Sequence, residues 1–530
     1  MCQRRATSVG WKETPRQRRN RPTVATTYAP TPAARRPPYL GIGTATLERS
    51  YWACVAVATM VGAFLSLYRL GIAGWGNDEL IYRNAGRAYF AGDLTANPEH
   101  PPLVKYILGT VQWIFGSNAT AVRLPGAIAG LLTGLFLFLL ARNIAGRWAA
   151  LSVLACWSFL PHPFGAMRVE RMALLEPFMV LFVVMAIWAA ERWATEGGWD
   201  YACVAGFATG LATACKVPGV LALAIVLVIA LVLGTRDGRA AAQFVAICGL
   251  AAGVFLVTYL PYGNGIWDTL SQMWTYQERH SANGHPIVVA GTTYAHPPWW
   301  ATAWLFWSKG PLTFLGYAGL IIAAPLLLAR RLATFVLAYL GIWIIFFAFV
   351  TAFLQRHYLY AVSPALALTC GIVLTRLARG GRWQRAGLVG AVLLLAAGSQ
   401  TVIKSVVHLQ PQPSAKPEAY ARAAQLIDEA GLGTAHAVVF GTRPLAAAYL
   451  PAVTFRPQSE NVDPSRDVII ADSVFMRSRY HAWTVARIRD ELALRGAEMD
   501  ELTVGGGVRV FLPRQPDELL ADLNSRSAAR

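Results

Sequence analysis

Apolar runs of about 18 to 22 residues recur along most of this chain, the length that crosses a bilayer as a helix. Short polar connections separate them. We read eleven such spans, at residues 51–70, 124–142, 148–165, 172–190, 201–215, 217–234, 241–260, 310–329, 332–353, 358–376 and 386–403. Residues 105–116 form a shorter apolar run, suited to an interfacial or re-entrant helix. Only Lys216, Val217 and Pro218 divide the fifth span from the sixth. After about residue 411 the pattern changes. Helix-like stretches at 417–430 and 483–495 alternate with strand-like ones at 437–440, 467–471, 502–504 and 508–512. Three glycines, 505–507, stand between the last two as a turn. The pattern predicts an α-helical polytopic membrane protein with about eleven transmembrane helices and a small external C-terminal α/β domain.

Composition and charge orient these elements. The chain is 55% hydrophobic and 14% charged, where a soluble chain carries about a quarter charged residues. The net charge of +18 gives no nucleic-acid signal: ten Lys/Arg lie within residues 1–49 and most others cap apolar runs. That is the positive-inside distribution. It places a disordered basic tail (1–49) in the cytoplasm, a membrane domain at 50–405 and the external domain at 411–530. Basic connections at 142–147, 192–200, 236–239, 330–331 and 376–385 fall on the cytoplasmic side. The outer face of the cell membrane then receives 71–123, 161–171, Lys216, 261–309, 354–357 and everything after about 404. The loop 261–309 is rich in Trp, Tyr and His, including Trp267, Trp274, Tyr276, His280, His285 and His296. Such a loop is expected along the headgroup layer. The seven Cys imply no disulfide framework, and no His/Cys spacing suits zinc.

The candidate chemistry gathers on that outer face. Asp78 and Glu79 precede apolar positions at helical spacing, which puts both acids at the N-terminus of an amphipathic surface helix. Solvation of a loop pair is the plain alternative. Glu99-His100-Pro101-Pro102 opens the next element, as a rigid turn or as a site carrying His100. Arg168, Glu170, Arg171 and Glu176 cluster at the start of the fourth span, with Glu176 inside its apolar run. An unpaired carboxylate there costs a few kcal/mol, so it either pairs with a neighbouring cation or serves a site. Lys216 and the Arg356-His357 pair reach the same face. Together the cations could hold an anionic headgroup such as a phosphate, whereas singly each could snorkel at a helix end.

The run Asp78-Glu79-x-x-Tyr82, then Pro101-Pro102-Leu103 and Arg123-Leu124, resembles the first external loop of GT-C glycosyltransferases. The resemblance is to their phospholipid-carrier-dependent branch, which includes protein O-mannosyltransferases and the aminoarabinose transferase of lipid A. Ala173-Leu174-Leu175-Glu176-Pro177 looks like the second acidic motif, where Asp is more usual. Gly210 through Lys216 is similar to the Gly-Leu…Lys motif, and Arg356-His357-Tyr358-x-Tyr360-x-x-x-Pro364 to the late Arg-Tyr-Pro element. The resemblance covers about residues 50–405 and implies a GT-C fold. It implies inverting transfer of a mannose-like sugar from a polyprenyl monophosphate to a hydroxyl of a protein, glycolipid or cell-wall glycan. Asp78 would be the general base, and Lys216 and Arg356 would bind the donor phosphate. Glu79 and Glu176 would orient hydroxyls, while His100, Arg168, His357 and Tyr358 would line the substrate site. No metal or other cofactor is implied. A secondary transporter or flippase is the rival class, but it would show internal repeats with broken helices, and the sequence has none.

Overall fold

In a computed structural model of the chain, the structure describes residues 44–73, 75–159, 168–234, 238–284, 287–308, 310–352, 354–407, 415–433, 436–440, 454–456, 467–473, 484–496, 498–505 and 507–514, with residues 446, 521, 524 and 525. Most of the basic tail, part of the 161–171 loop and His285 lie outside the described residues.

The helices are α1 (Thr44–Leu67), α2 (Asn77–Phe90), α3 (Leu103–Phe115), α4 (Ala119–Ala145), α5 (Arg147–Phe159), α6 (Glu176–Glu196), α7 (Trp199–Cys215), α8 (Leu221–Leu233) and α9 (Gly238–Val257). Then follow α10 (Ile266–Asn283), α11 (Ala301–Trp307), α12 (Pro311–Leu327), α13 (Arg330–Ile345), α14 (Ser363–Ala378) and α15 (Arg382–Val407). Among the described residues, each of the eleven apolar runs overlaps one of these helices. Among the described residues, seven helical segments are long and apolar enough to cross a membrane by length and composition; 103–115, 217–233 and 311–327 form shorter apolar helices. The bundle packs α6 against α4, α7 and α8, α7 against α9, and α5 against α14. Close approach explains part of the Gly210 motif: a Cβ there would lie 2.6 Å from the Ala251 carbonyl oxygen of α9. Small residues let apolar helices meet this closely.

Two short elements contribute to the site. Helix α2 is amphipathic and lies on α3, where a Cβ on Gly86 would come within 2.9 Å of the Gly109 nitrogen. Between α7 and α8 the chain extends at Lys216 (φ −159°, ψ 133°) and restarts as a 3-10 turn, Val217–Val220, with Pro218 in its first turn. Proline suits a helix start because it lacks the N–H that would go unused there.

The loop after α9 holds α10 and a small hairpin, β1 (Ile287–Val289) with β2 (Thr292–Tyr294). Beyond α15 come α16 (Ala415–Glu429), β3 (His436–Phe440), β4 (Thr454–Arg456), β5 (Asp467–Asp472), α17 (Val485–Leu494), β6 (Met499–Gly505) and β7 (Val508–Pro513). The sheet order is β4-β3-β5-β7-β6, with β4, β3 and β5 parallel and the β5–β7 and β7–β6 pairs antiparallel. Strand alternation sorts the two faces. Ala437 and Val439 share a core with Tyr420, Ala423 and Ile427 of α16, while Val438 and Phe440 share one with Ile488 and Leu492 of α17. Gly505 and Gly507 take φ of 97° and 80° at the β6–β7 turn, a region open to glycine at little cost.

Candidate active site

Adjacent acids at the start of α2 have opposite surroundings. Successive helical residues point about 100° apart. Glu79 is fully buried and Arg123, the fifth residue of α4, is 1% exposed. Arg123 donates from Nε to Glu79 Oε1 and from Nη2 to Oε2, each at 2.8 Å. The same carboxylate accepts the N–H of Gly76 (2.7 Å), the residue capping α2, and of Ala173 (2.8 Å). Arg123 also donates to the Ala73 and Leu70 carbonyls at 2.8 and 3.2 Å. Four donors therefore saturate Glu79 in a bidentate, charge-assisted clamp. That clamp ties α2, α4 and the strand-like approach to α6 together. The sequence expectation that Glu79 meets substrate hydroxyls has no oxygen left to serve it.

Asp78 turns the other way. Its side chain is 29% exposed, and His357 Nε2 stands 3.3 Å from its Oδ2. The same nitrogen is 3.8 Å from Oε1 of Glu176, whose side chain is only 2% exposed. Lys216 Nζ bonds Glu176 and lies 3.5 Å from the centre of the Tyr358 ring. The His357 ring meets that of Tyr358 edge-on at 4.6 Å. His357 and Tyr358 belong to the 3-10 turn Arg356–Val362, which opens with the half-buried Arg356. Asp78, Glu176, Lys216, His357 and Tyr358, drawn from four separate stretches of chain, thus share one end of the bundle, and Arg356 precedes His357 in the same 3-10 turn.

His100 borders the same cluster, its ring edge-on to Tyr82 at 5.7 Å. Burial pushes its imidazole down to about 3, and Lys216 and Lys105 push the same way. Lys105 holds the 97–100 turn, donating to the carbonyls of His100 (2.8 Å) and Asn97 and to the Tyr89 hydroxyl (3.1 Å). Tyr82, 5% exposed, stays a phenol: burial and then Asp78 and Glu176 raise it well above its ordinary value. From the other loop, Gln277 of α10 donates to the Glu99 backbone carbonyl at 3.0 Å, so α10 is pinned to the turn that carries His100.

Residues 99–262 match a family model described as dolichyl-phosphate-mannose-protein mannosyltransferase. A polyprenol-phosphate-mannose–protein mannosyltransferase of Corynebacterium glutamicum is 28% identical over 160 residues, 28% of this chain and 30% of that protein. The match spans less than a third of that relative's length. ArnT from Cupriavidus metallidurans, solved bound to undecaprenyl phosphate, superposes with a TM-score of 0.56 at 17% identity, covering 87% of this chain and 98% of that one. The apo oligosaccharyltransferase of Archaeoglobus fulgidus gives 0.53 at 14% identity, over 76% and 64% of the two chains. The fold is that of the GT-C glycosyltransferases.

Within this GT-C frame, two of the arginines picked out by sequence point away from the cluster. Arg168 (3% exposed) pairs with buried Glu170 and donates to the Ser158 carbonyl at 2.8 Å. Arg171 donates to the carbonyls of Leu65 (2.7 Å), Tyr68 (2.7 Å) and Arg69 (3.4 Å) at the end of α1. Terminal carbonyls of a helix lack intrahelical donors, and a guanidinium supplies them. Lys105 and Arg123 carry comparable weight, yet the sequence pattern singles out neither as a site residue. Their signal is a cation at the opening of an apolar helix, which demands a buried partner. Among the described residues, no group of three or more His, Cys, Asp or Glu stands where it could hold a metal ion.

Proposed function

We propose that this protein is an inverting membrane glycosyltransferase that moves a sugar, mannose or a close relative, from a polyprenyl monophosphate to a hydroxyl acceptor outside the cytoplasm. The observation that carries this reading is a partly exposed carboxylate, Asp78, beside His357, with the Lys216 ammonium held by Glu176 next to the same imidazole at one end of a GT-C bundle.

Asp78 takes the acceptor O–H proton while that oxygen attacks the anomeric carbon. The bond from that carbon to the phosphate oxygen breaks on the opposite side, so the configuration inverts. The electron pair leaves with the polyprenyl phosphate. Lys216 and Arg356 neutralise the growing charge on that leaving group. Glu176 uses one of the three Lys216 donors and, with the Tyr358 ring beneath it, holds the ammonium in place for the phosphate. His357, shared between Asp78 and Glu176, keeps the base oriented. We assign Glu79 to holding α2 in place and Arg168 to the bundle interior, and neither to substrate.

The test is direct. Purified protein in nanodiscs is given radiolabelled polyprenyl-phosphate mannose and a hydroxyl acceptor peptide or glycan. Transfer that yields the opposite anomer supports the reading; donor bound but never cleaved with any acceptor would overturn it.

A further inference from the structure

The sheet beyond α15 shares its core with the catalytic helix. Leu80, two residues after Asp78, is 2% exposed and belongs to one apolar cluster with Tyr420, Ala423 and Ile427 of α16 and Val510 and Leu512 of β7. Trp75 packs against the same cluster. Its ring also lies 5.0 Å from the guanidinium carbons of both Arg123 and Arg83. Arg123 is the residue that clamps Glu79.

The first turn of α2 is therefore gripped from two sides. Glu79 ties it to α4 and to Ala173. Leu80 and Trp75 tie it to the C-terminal sheet. Asp78 sits between these grips with its carboxylate turned to His357. A merely tethered appendage would close its core with its own residues. Here the leucine comes from the helix that carries Asp78.

We propose that the C-terminal sheet and α16 form a positioning part of the transfer centre: through Leu80 and Trp75 they set where the Asp78 carboxylate stands. Leu80 and Trp75 touch no substrate and act through α2. The proposal rests on Asp78 being the base. It has a sharp energetic basis, because misplacing a catalytic group by about 1 Å can cost about 100-fold in rate.

The experiment uses the full chain in nanodiscs and compares Leu80→Ala, Leu80→Met and Asp78→Asn for donor binding, kcat, acceptor KM and thermal midpoint. Leu80→Ala should lower kcat by about tenfold to 100-fold with donor affinity unchanged. Leu80→Met, which refills the contact, should restore most of it. Unaltered kcat in Leu80→Ala would overturn the proposal. So would a kcat loss that Leu80→Met fails to rescue while both variants melt like the parent. If Leu80→Ala does not fold, Leu80→Val takes its place, with an intermediate kcat loss expected and an unaltered kcat overturning. Asp78→Asn separates the two ideas: full turnover there removes the base itself, whereas its loss beside a normal Leu80→Ala removes only the coupling.

Discussion

One imidazole nitrogen serves two acids: His357 Nε2 is 3.3 Å from Asp78 Oδ2 and 3.8 Å from Glu176 Oε1. Asp78 is the more exposed of the two, and Glu176 already holds Lys216. The geometry divides labour between them. Asp78 keeps its carboxylate partly open to solvent, and Glu176 fixes a cation.

Asp78→Asn keeps the shape and loses the proton acceptor. Turnover should fall by about 100-fold or more, with donor affinity preserved because the cations are untouched. Single-turnover kinetics beside equilibrium donor binding reads both. Normal transfer by this variant would pass the role of base to another acid.

Glu79→Gln should behave differently although the residue is adjacent. It weakens a buried clamp and leaves Arg123 underpaired, at a cost of roughly 1–3 kcal/mol in stability. Removing the guanidinium with Arg123→Ala strands a fully buried carboxylate and should cost more, roughly 3–5 kcal/mol. Unfolding midpoints rank the two. Turnover per folded Glu79→Gln molecule should stay within about tenfold of the parent, since no step of proton transfer passes through it. A variant that melts normally but is as inactive as Asp78→Asn would restore Glu79 to the chemistry.

Lys216 and Glu176 form a buried pair, so single and double variants separate holding from binding. Lys216→Ala should destabilise the protein by leaving Glu176 unpaired. It should also weaken the donor by one to two orders of magnitude, about 1.5–3 kcal/mol for a charge-assisted contact. Adding Glu176→Gln should return the melting temperature and leave donor affinity low. Recovery of both together would mean that Lys216 only pairs with Glu176, and Arg356 alone would remain for the phosphate.

Much of this arrangement is legible in the amino-acid sequence, because it depends on periodicity and short-range chemistry. The apolar runs, the amphipathic α2 with acids in its first turn and the helix break at Lys216-Val217-Pro218 each follow from neighbours along the chain. What escapes depends on distant partners. Nothing near Asp78 or Glu79 says which turns inward, since the deciding guanidinium is 44 residues away in α4. Arg168 reads as a substrate-site residue, yet it meets Glu170, and its neighbour Arg171 meets the carbonyl end of α1. Strand β4 escapes because three residues give too short an alternation to read, and its place comes from parallel pairing with β3. In sequence, Leu80 is one apolar position among several on a surface helix. Only the packing of α16 and β7 shows where it goes.

The last expectation concerns acid. His100 has its imidazole pushed from 6.5 down to about 3, by burial first and then by Lys216 and Lys105. The folded protein therefore keeps His100 neutral over a range in which the unfolded chain protonates it. Unfolding takes up a proton between those two values, so the associated stability is present above about pH 6.5 and is lost progressively as pH falls toward 3. The parent should lose thermal stability between pH 6.5 and 5 more steeply than His100→Asn, which has no proton to gain. Above pH 6 the shapes of their rate profiles should coincide, because a group that stays neutral contributes no inflection. Melting curves and turnover across that range decide it. A parental inflection near pH 6.5 that vanishes in His100→Asn would show a titrating His100, exposed to water at the edge of the site and free to exchange protons with the substrate.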